Sequence, residues 1–147
     1  MTSSRRVWVD LVGVAALAAC LGAGVTAQAG LDGEGYKIEV GGGKAKVGQP
    51  SAFPVVVKAK DGYKVNDKYP TKISFKDAPA DVELPKKELK GADGKMAADQ
   101  KSLSFDVPFT LAKAGTYKVE GELKFSVCND KSCIIQKQAV KATLAAK

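Results

Sequence analysis

Apolar and polar residues alternate in short runs along most of this chain, and the longest run lies near its C-terminal end. Tyr117, Val119, Leu123, Phe125 and Val127 alternate with Lys118, Glu120, Glu122, Lys124 and Ser126. This is the period-2 signature of a half-buried strand, with Gly121 the one gap on its apolar side. Asn129-Asp130-Lys131-Ser132 has turn composition. A second strand from about Cys133 to Leu144 returns beside the first, with Ile134, Val140, Ala142 and Leu144 on one face. The pattern predicts a hairpin that carries Cys128 and Cys133 opposite each other across a four-residue loop. Both fall on the polar side. Cross-strand Cα atoms lie roughly 4.5–5.5 Å apart, a span that a disulfide can bridge.

The rest of the chain from Gly30 reads the same way. Tyr36 to Val40 alternates as a short strand, and Gly41-Gly42-Gly43 breaks it. Ala52 to Lys60 is rich in β-branched residues, and Pro54 within it predicts an edge or a strand start. Asp61-Gly62 turns the chain, and Tyr63-Lys64-Val65, Lys72 to Phe75 and Val82 to Pro85 are short strand candidates. Lys86 to Lys101 is polar and without periodicity. Leu103, Phe105 and Val107 alternate until Pro108 interrupts them, and Ala114-Gly115 turns into the hairpin. Six to eight short strands separated by turn signals predict an all-β fold. We expect an immunoglobulin-like β-sandwich with a C-terminal cysteine-bearing hairpin; a small barrel is the alternative.

Residues 1–29 change the picture from a domain to an exported domain. Arg5 and Arg6 form a basic start, Leu11 to Val25 is an apolar run short for a membrane span, and Ala27-Gln28-Ala29 is a small-x-small cleavage pattern. The segment reads as a signal peptide, leaving a single β-sandwich domain over residues 30–147, in the periplasm or otherwise exported. Leu17-Ala18-Ala19-Cys20 also fits a lipobox, which would make Cys20 a lipidated anchor; the apolar run continues past Cys20 and favours cleavage after Ala29. Membrane anchoring is expected only with that lipidation. Fewer than 120 residues remain, enough for one core.

Composition narrows the chemistry. The formal charge is +7, yet beyond Arg5 and Arg6 every basic residue is a lysine, scattered along alternating strands without clustered aromatics. Such a surface suits a solvated sheet better than nucleic-acid binding. The chain has no histidine, which removes the usual general base and the commonest metal ligand. Two cysteines are too few for structural zinc, and Cu(I) ligation by Cys128, Cys133 and Met96 would rest on three scattered residues. No metal or bound cofactor is expected.

Two readings of the cysteine pair stand open on spacing alone. Export favours oxidation, so a structural disulfide is one. A six-residue closed loop constrains the unfolded chain by only ~2 kcal/mol, however, and an exposed tip is what an incoming thiolate needs. Redox exchange is the other.

A resemblance bears on that choice. Asp61-Gly62-Tyr63 leading into a strand, Ala80-Asp81-Val82-Glu83-Leu84-Pro85, the Leu103-to-Pro108 strand and the closing cysteine hairpin occur in this order. Together they resemble the N-terminal periplasmic domain of the thiol:disulfide interchange protein family DsbD. The resemblance implies an immunoglobulin-like fold in which Cys128 and Cys133 form the redox pair, with Cys133 the sulfur that joins partners. It also implies partners: thioredoxin-fold redox proteins or a membrane electron relay, with dithiol chemistry and no cofactor. Lys90 to Gln100 corresponds to the family's cap loop over the active site, where Met96 is the only bulky apolar candidate for the shield. The pair here is Cys-x4-Cys, slightly tighter than the family pattern, and Ile134-Ile135 follows it in place of aromatic and proline residues. A binding or scaffolding sandwich with a purely structural bridge is the alternative function.

Overall fold

The computed structural model describes residues 29–147; the expected signal peptide up to residue 28, with the lipidation candidate Cys20, lies outside the described residues, while Ala29 is the first residue of a strand. In chain order the strands are β1 (Ala29–Gly33), β2 (Tyr36–Val40), β3 (Gly43–Ala45), β4 (Ser51–Ala59), β5 (Lys64–Val65), β6 (Lys72–Asp77), β7 (Val82–Glu83), β8 (Glu88–Lys90), β9 (Lys95–Met96), β10 (Ser102–Leu111), β11 (Gly115–Cys128) and β12 (Cys133–Ala146). A single 3-10 turn spans Gly91–Asp93. Seven of the strands have five residues or more, and these carry the sandwich. The other five are edge pieces of two or three residues.

One sheet runs β1-β2-β4-β10-β7, with β9 also on β10; the other runs β3-β12-β11-β6-β8, with β5 also on β11. The two sheets face each other as an immunoglobulin-like β-sandwich, and every strand pair is antiparallel except β3 with β12. Alternation decides what lies between them. Val55 and Val57 of β4, Phe105, Val107 and Phe109 of β10, and Leu123, Phe125 and Val127 of β11 are all almost fully buried. Phe53 packs edge-on to Phe75, with ring centres 5.8 Å apart. Tyr36 and Phe125 meet at 4.8 Å across the sandwich, and the Gln138 amide donates to the Tyr36 hydroxyl at 2.8 Å. A buried phenol therefore has its partner, as it must to avoid a desolvation penalty.

The prolines depart from the sequence expectation. Pro54 lies inside β4, between β2 and β10, and not on an edge. The Gly41 N–H donates to the Pro54 carbonyl. Because a residue's N–H and C=O leave the strand on one side, the missing Pro54 donor faces Gly41, one residue beyond the end of β2, and the proline ring lies close against that glycine. Pro108 does not interrupt its strand either: β10 continues to Leu111. Ser102 accepts from Ala97 on the β9 side, so the even-numbered positions of β10 turn away from β4. Pro108 thus faces the gap between β9, which ends at Leu103–Ser104, and β7, which begins at Thr110. Pro54 thus gives up one bond at the very end of the β2–β4 ladder, and Pro108 gives up none. The polar Lys86–Lys101 stretch also holds more than a loop, containing β8, the 3-10 turn and β9.

One glycine is required by packing. The β11–β6 register shifts between Glu120 and Glu122, and a Cβ at Gly121 would stand 2.6 Å from the Phe75 ring. The gap in the apolar alternation is where Phe75 comes closest to the β11 backbone.

Candidate functional site

Cys128 ends β11 and Cys133 begins β12, and the two are joined by a disulfide. All fourteen residues of β11 pair with β12 in one unbroken register, from Gly115–Ala146 to Cys128–Cys133. The turn is held locally as well. The Asn129 N–H donates to the Ser132 carbonyl at 2.9 Å. The Asn129 carboxamide oxygen accepts from the Lys131 and Ser132 N–H groups at 2.9 and 2.7 Å. An asparagine side chain that mimics a backbone acceptor in this way is a standard turn device. Because Asn129–Ser132 is the hydrogen-bonded pair, Cys128–Cys133 is the non-hydrogen-bonded one. There strands come closest, and the Cα atoms lie 4.0 Å apart. That is shorter than the generic cross-strand distance.

The two sulfurs have different surroundings. Cys133 is exposed, whereas Cys128 is half-buried. Beside Cys128 opens a groove of about 370 Å³ lined by Tyr63, Lys64, Asn66, Gln100, Lys101 and Asp130, among others. Lys64 pairs directly with Cys128 across the β5–β11 ladder, so the two side chains share the outer face of the sheet. Sequence reasoning missed Lys64, which is distant in sequence from both cysteines. The Asp61-Gly62-Tyr63 signature leading into its strand was the available signal. Gly62 makes that turn with φ +81°, in the left-handed region.

The segment expected to cap the pair reaches it only at its far end. The Val65 N–H donates to the Gln100 carbonyl at 2.8 Å, and the Lys101 ammonium donates to the Tyr63 carbonyl at 2.7 Å. These bonds fasten residues 100 and 101 to β5 and so to the Cys128 groove. Gln100 takes φ 58° to make the approach. Met96 lies elsewhere. It pairs with Leu103 in the opposite sheet, packs against the core, and is not among the residues lining the Cys128 groove. The arrangement therefore brings Gln100 and Lys101, and not Met96, to the groove beside Cys128. Cu(I) ligation by the three residues has no common site here. Among the described residues no cluster of three or more His, Cys, Asp or Glu side chains could hold a metal.

Further along the hairpin, the outer face is laced by ion pairs. Lys137 contacts Glu122 at 3.2 Å and Lys141 contacts Glu120 at 3.3 Å. The hydrogen bond from Lys137 holds the Glu122 carboxyl below its ordinary range. Ile135, between these pairs and Cys133, is 64% exposed on the same outer face.

Fold and site together define an all-β, immunoglobulin-like domain with a solvent-facing disulfide at the tip of its longest hairpin. Neither the family models nor the curated proteins contain a match to this chain. Among solved structures, the chain is similar to AggA, the major subunit of aggregative adherence fimbriae type I from Escherichia coli. The TM-score is 0.38 and the identity 11%, over 76% of this chain and 95% of that one.

Proposed function

We propose that this protein is an exported thiol–disulfide exchange module, passing electrons through the Cys128–Cys133 pair to or from thioredoxin-fold partners. The observation that carries this reading is the unequal exposure of the two cysteines. Cys133 is open to solvent at the end of a hairpin, while Cys128 stays half-buried beside a lysine. An attacking thiolate needs in-line access to one sulfur and a stable departing thiolate on the other. Cys133 offers the access. The Lys64 ammonium across from Cys128 stabilises the departing charge. The resemblance to the DsbD N-terminal domain supports the same assignment, with Cys133 joining the partner. A structural staple explains the geometry less well, since the unbroken fourteen-pair ladder and the Asn129 turn already hold the hairpin.

The test is the equilibrium potential of the pair, titrated against glutathione with thiol trapping, together with Cys133→Ser. A potential near −200 to −250 mV is the range that periplasmic couples can cycle, whereas structural bridges lie below about −300 mV. We expect the former, and expect Cys133→Ser to abolish exchange while leaving the circular dichroism spectrum unchanged. A potential in the structural range would give the site to the alternative reading, a binding or scaffolding domain with a stapled hairpin.

A further inference from the structure

The strand that carries Cys133 is open along one side. β12 pairs with β11 along its whole length, but on its other side only β3 reaches it, at Leu144, Ala145 and Ala146. From Cys133 to Thr143 no strand lies beside that edge among the described residues. The direction of the free groups follows from the ladder. Ser132 gives its carbonyl to Asn129 across the hairpin, and Lys147 gives its N–H to Ala45 on the β3 side. Even-numbered residues of β12 therefore bond to β11, and odd-numbered ones turn outward. The N–H and C=O groups of Cys133, Ile135, Lys137, Ala139 and Lys141 point to the open edge. The side chains of these same residues lie on the outer, solvent face. An exposed cysteine, an exposed isoleucine and a row of outward backbone donors and acceptors thus coincide.

We propose that this edge is the docking surface for the exchange partner, which binds as an extended cysteine-bearing segment added as a strand beside Cys133 and Ile135. This rests on the exchange function proposed above and names the class of substrate: a protein thiol presented on an extended backbone, in preference to a small free thiol. Strand addition supplies affinity through main-chain bonds and selectivity through the side chains on one face. It also fixes the register, holding a partner residue opposite Cys133 at cross-strand distance. Ile135 offers the next apolar contact on that face. The charges select the occupant. β12 brings Lys137 and Lys141 to the edge, each paired across the hairpin with Glu122 or Glu120, and no carboxylate of its own, so a second copy of the same strand would set lysines beside lysines. A neutral or acidic segment meets no such penalty.

The chemistry balances with a protein dithiol as reductant. Its first thiolate attacks Sγ of Cys133; the new S–S bond forms as the Cys128–Cys133 bond breaks, and Cys128 leaves as a thiolate. The partner's second thiolate then attacks its own sulfur in the mixed disulfide, releasing Cys133. Two electrons have moved to the hairpin, the partner holds a disulfide, and the two thiolates take up protons from water.

The test compares two single-cysteine peptides as attacking thiols on the unaltered oxidised domain. One is an eight-residue β-branched peptide with glutamate at each end. The other carries prolines in place of the two residues flanking the cysteine and cannot pair as a strand. Mixed-disulfide formation is followed by mass spectrometry. With main-chain bonds in play, the pairing peptide should react about tenfold faster than the proline peptide. In Ile135→Pro, which deletes an outward donor without touching the β11 ladder, that ratio should fall to one. Equal rates for the two peptides, with glutathione still reacting, overturn the edge while leaving exchange intact. A pair that resists glutathione and both peptides overturns the exchange reading, and this proposal with it. A concentration-dependent dimer dissociated by Ile135→Pro would assign the edge to a second copy and also overturn the proposal.

Discussion

Removing the disulfide separates a reactive bridge from a structural one, and the structure sets the expected size of the effect. In Cys128→Ser/Cys133→Ser both thiols are lost, so no free sulfur remains to confuse the measurement. The cysteines are five positions apart, and a closed loop this short restricts the unfolded chain by ~2 kcal/mol in the chain-entropy treatment. Unfolding entropy of ~2.1 cal/mol/K per residue over about 120 residues gives ~0.25 kcal/mol/K, so the fall in Tm should not exceed about 8 °C. This is a ceiling, because the Asn129 turn and the cross-strand pairs next to it remain. Phe125→Ala provides the internal scale. Phe125 is fully buried against Tyr36, and its truncation should cost about 3–5 kcal/mol. Urea denaturation followed by circular dichroism measures both variants under one protocol. The double serine variant should remain folded with an unchanged m-value and lose less than Phe125→Ala. A loss above about 4 kcal/mol, or failure to fold, would show that the sandwich depends on the bridge and would refute the argument that the hairpin stands without it.

Two further outcomes follow from the geometry. Gly121→Ala would put a methyl 2.6 Å from the Phe75 ring and 2.9 Å from the Ser74 carbonyl, and should cost ~1–3 kcal/mol in urea denaturation; unchanged stability would mean that the bulge relaxes freely. The carboxyls of Glu39 and Glu122 are held below the ordinary value of 4.5 by hydrogen bonds from Lys58 and Lys137. Folded values below unfolded ones mean that their contribution is present above pH ~4.5 and is lost as pH falls through the folded values. Denaturant midpoints should therefore decline below that pH, less steeply in Glu39→Gln and in high salt; a decline equally steep in all three would remove the ion pairs as its cause.

The hairpin was legible because its signal is local. In β11 and β12 each alternate residue reports its own face, and turn residues mark the reversal, so Cys128 and Cys133 could be placed opposite each other without any tertiary knowledge. The prolines misled for a related reason. Sequence shows that Pro54 and Pro108 lack an N–H, but not toward which neighbour that N–H would have pointed. Pro54 turns toward Gly41, where β2 has just ended, and Pro108 into the gap between β9 and β7, so both strands continue through them. The short pieces β8 and β9 carry too few residues for any period to show. They exist because β6 and β10 offer them edges.

Local alternation, turn composition and cysteine spacing thus determined the all-β class, the hairpin and the pairing of its cysteines, since each depends on residues a few positions apart. Which lysine stands across from Cys128, where Met96 goes, and which edge of β12 stays open were decided only by the assembled sheets. Lys64 reaches Cys128 because β5 pairs with β11 over a separation of more than sixty residues. Met96 is drawn to the opposite sheet because Leu103 gives it a partner there. Non-local contacts of this kind depend on how whole strands compete for the same edges, and no short window of sequence carries that competition.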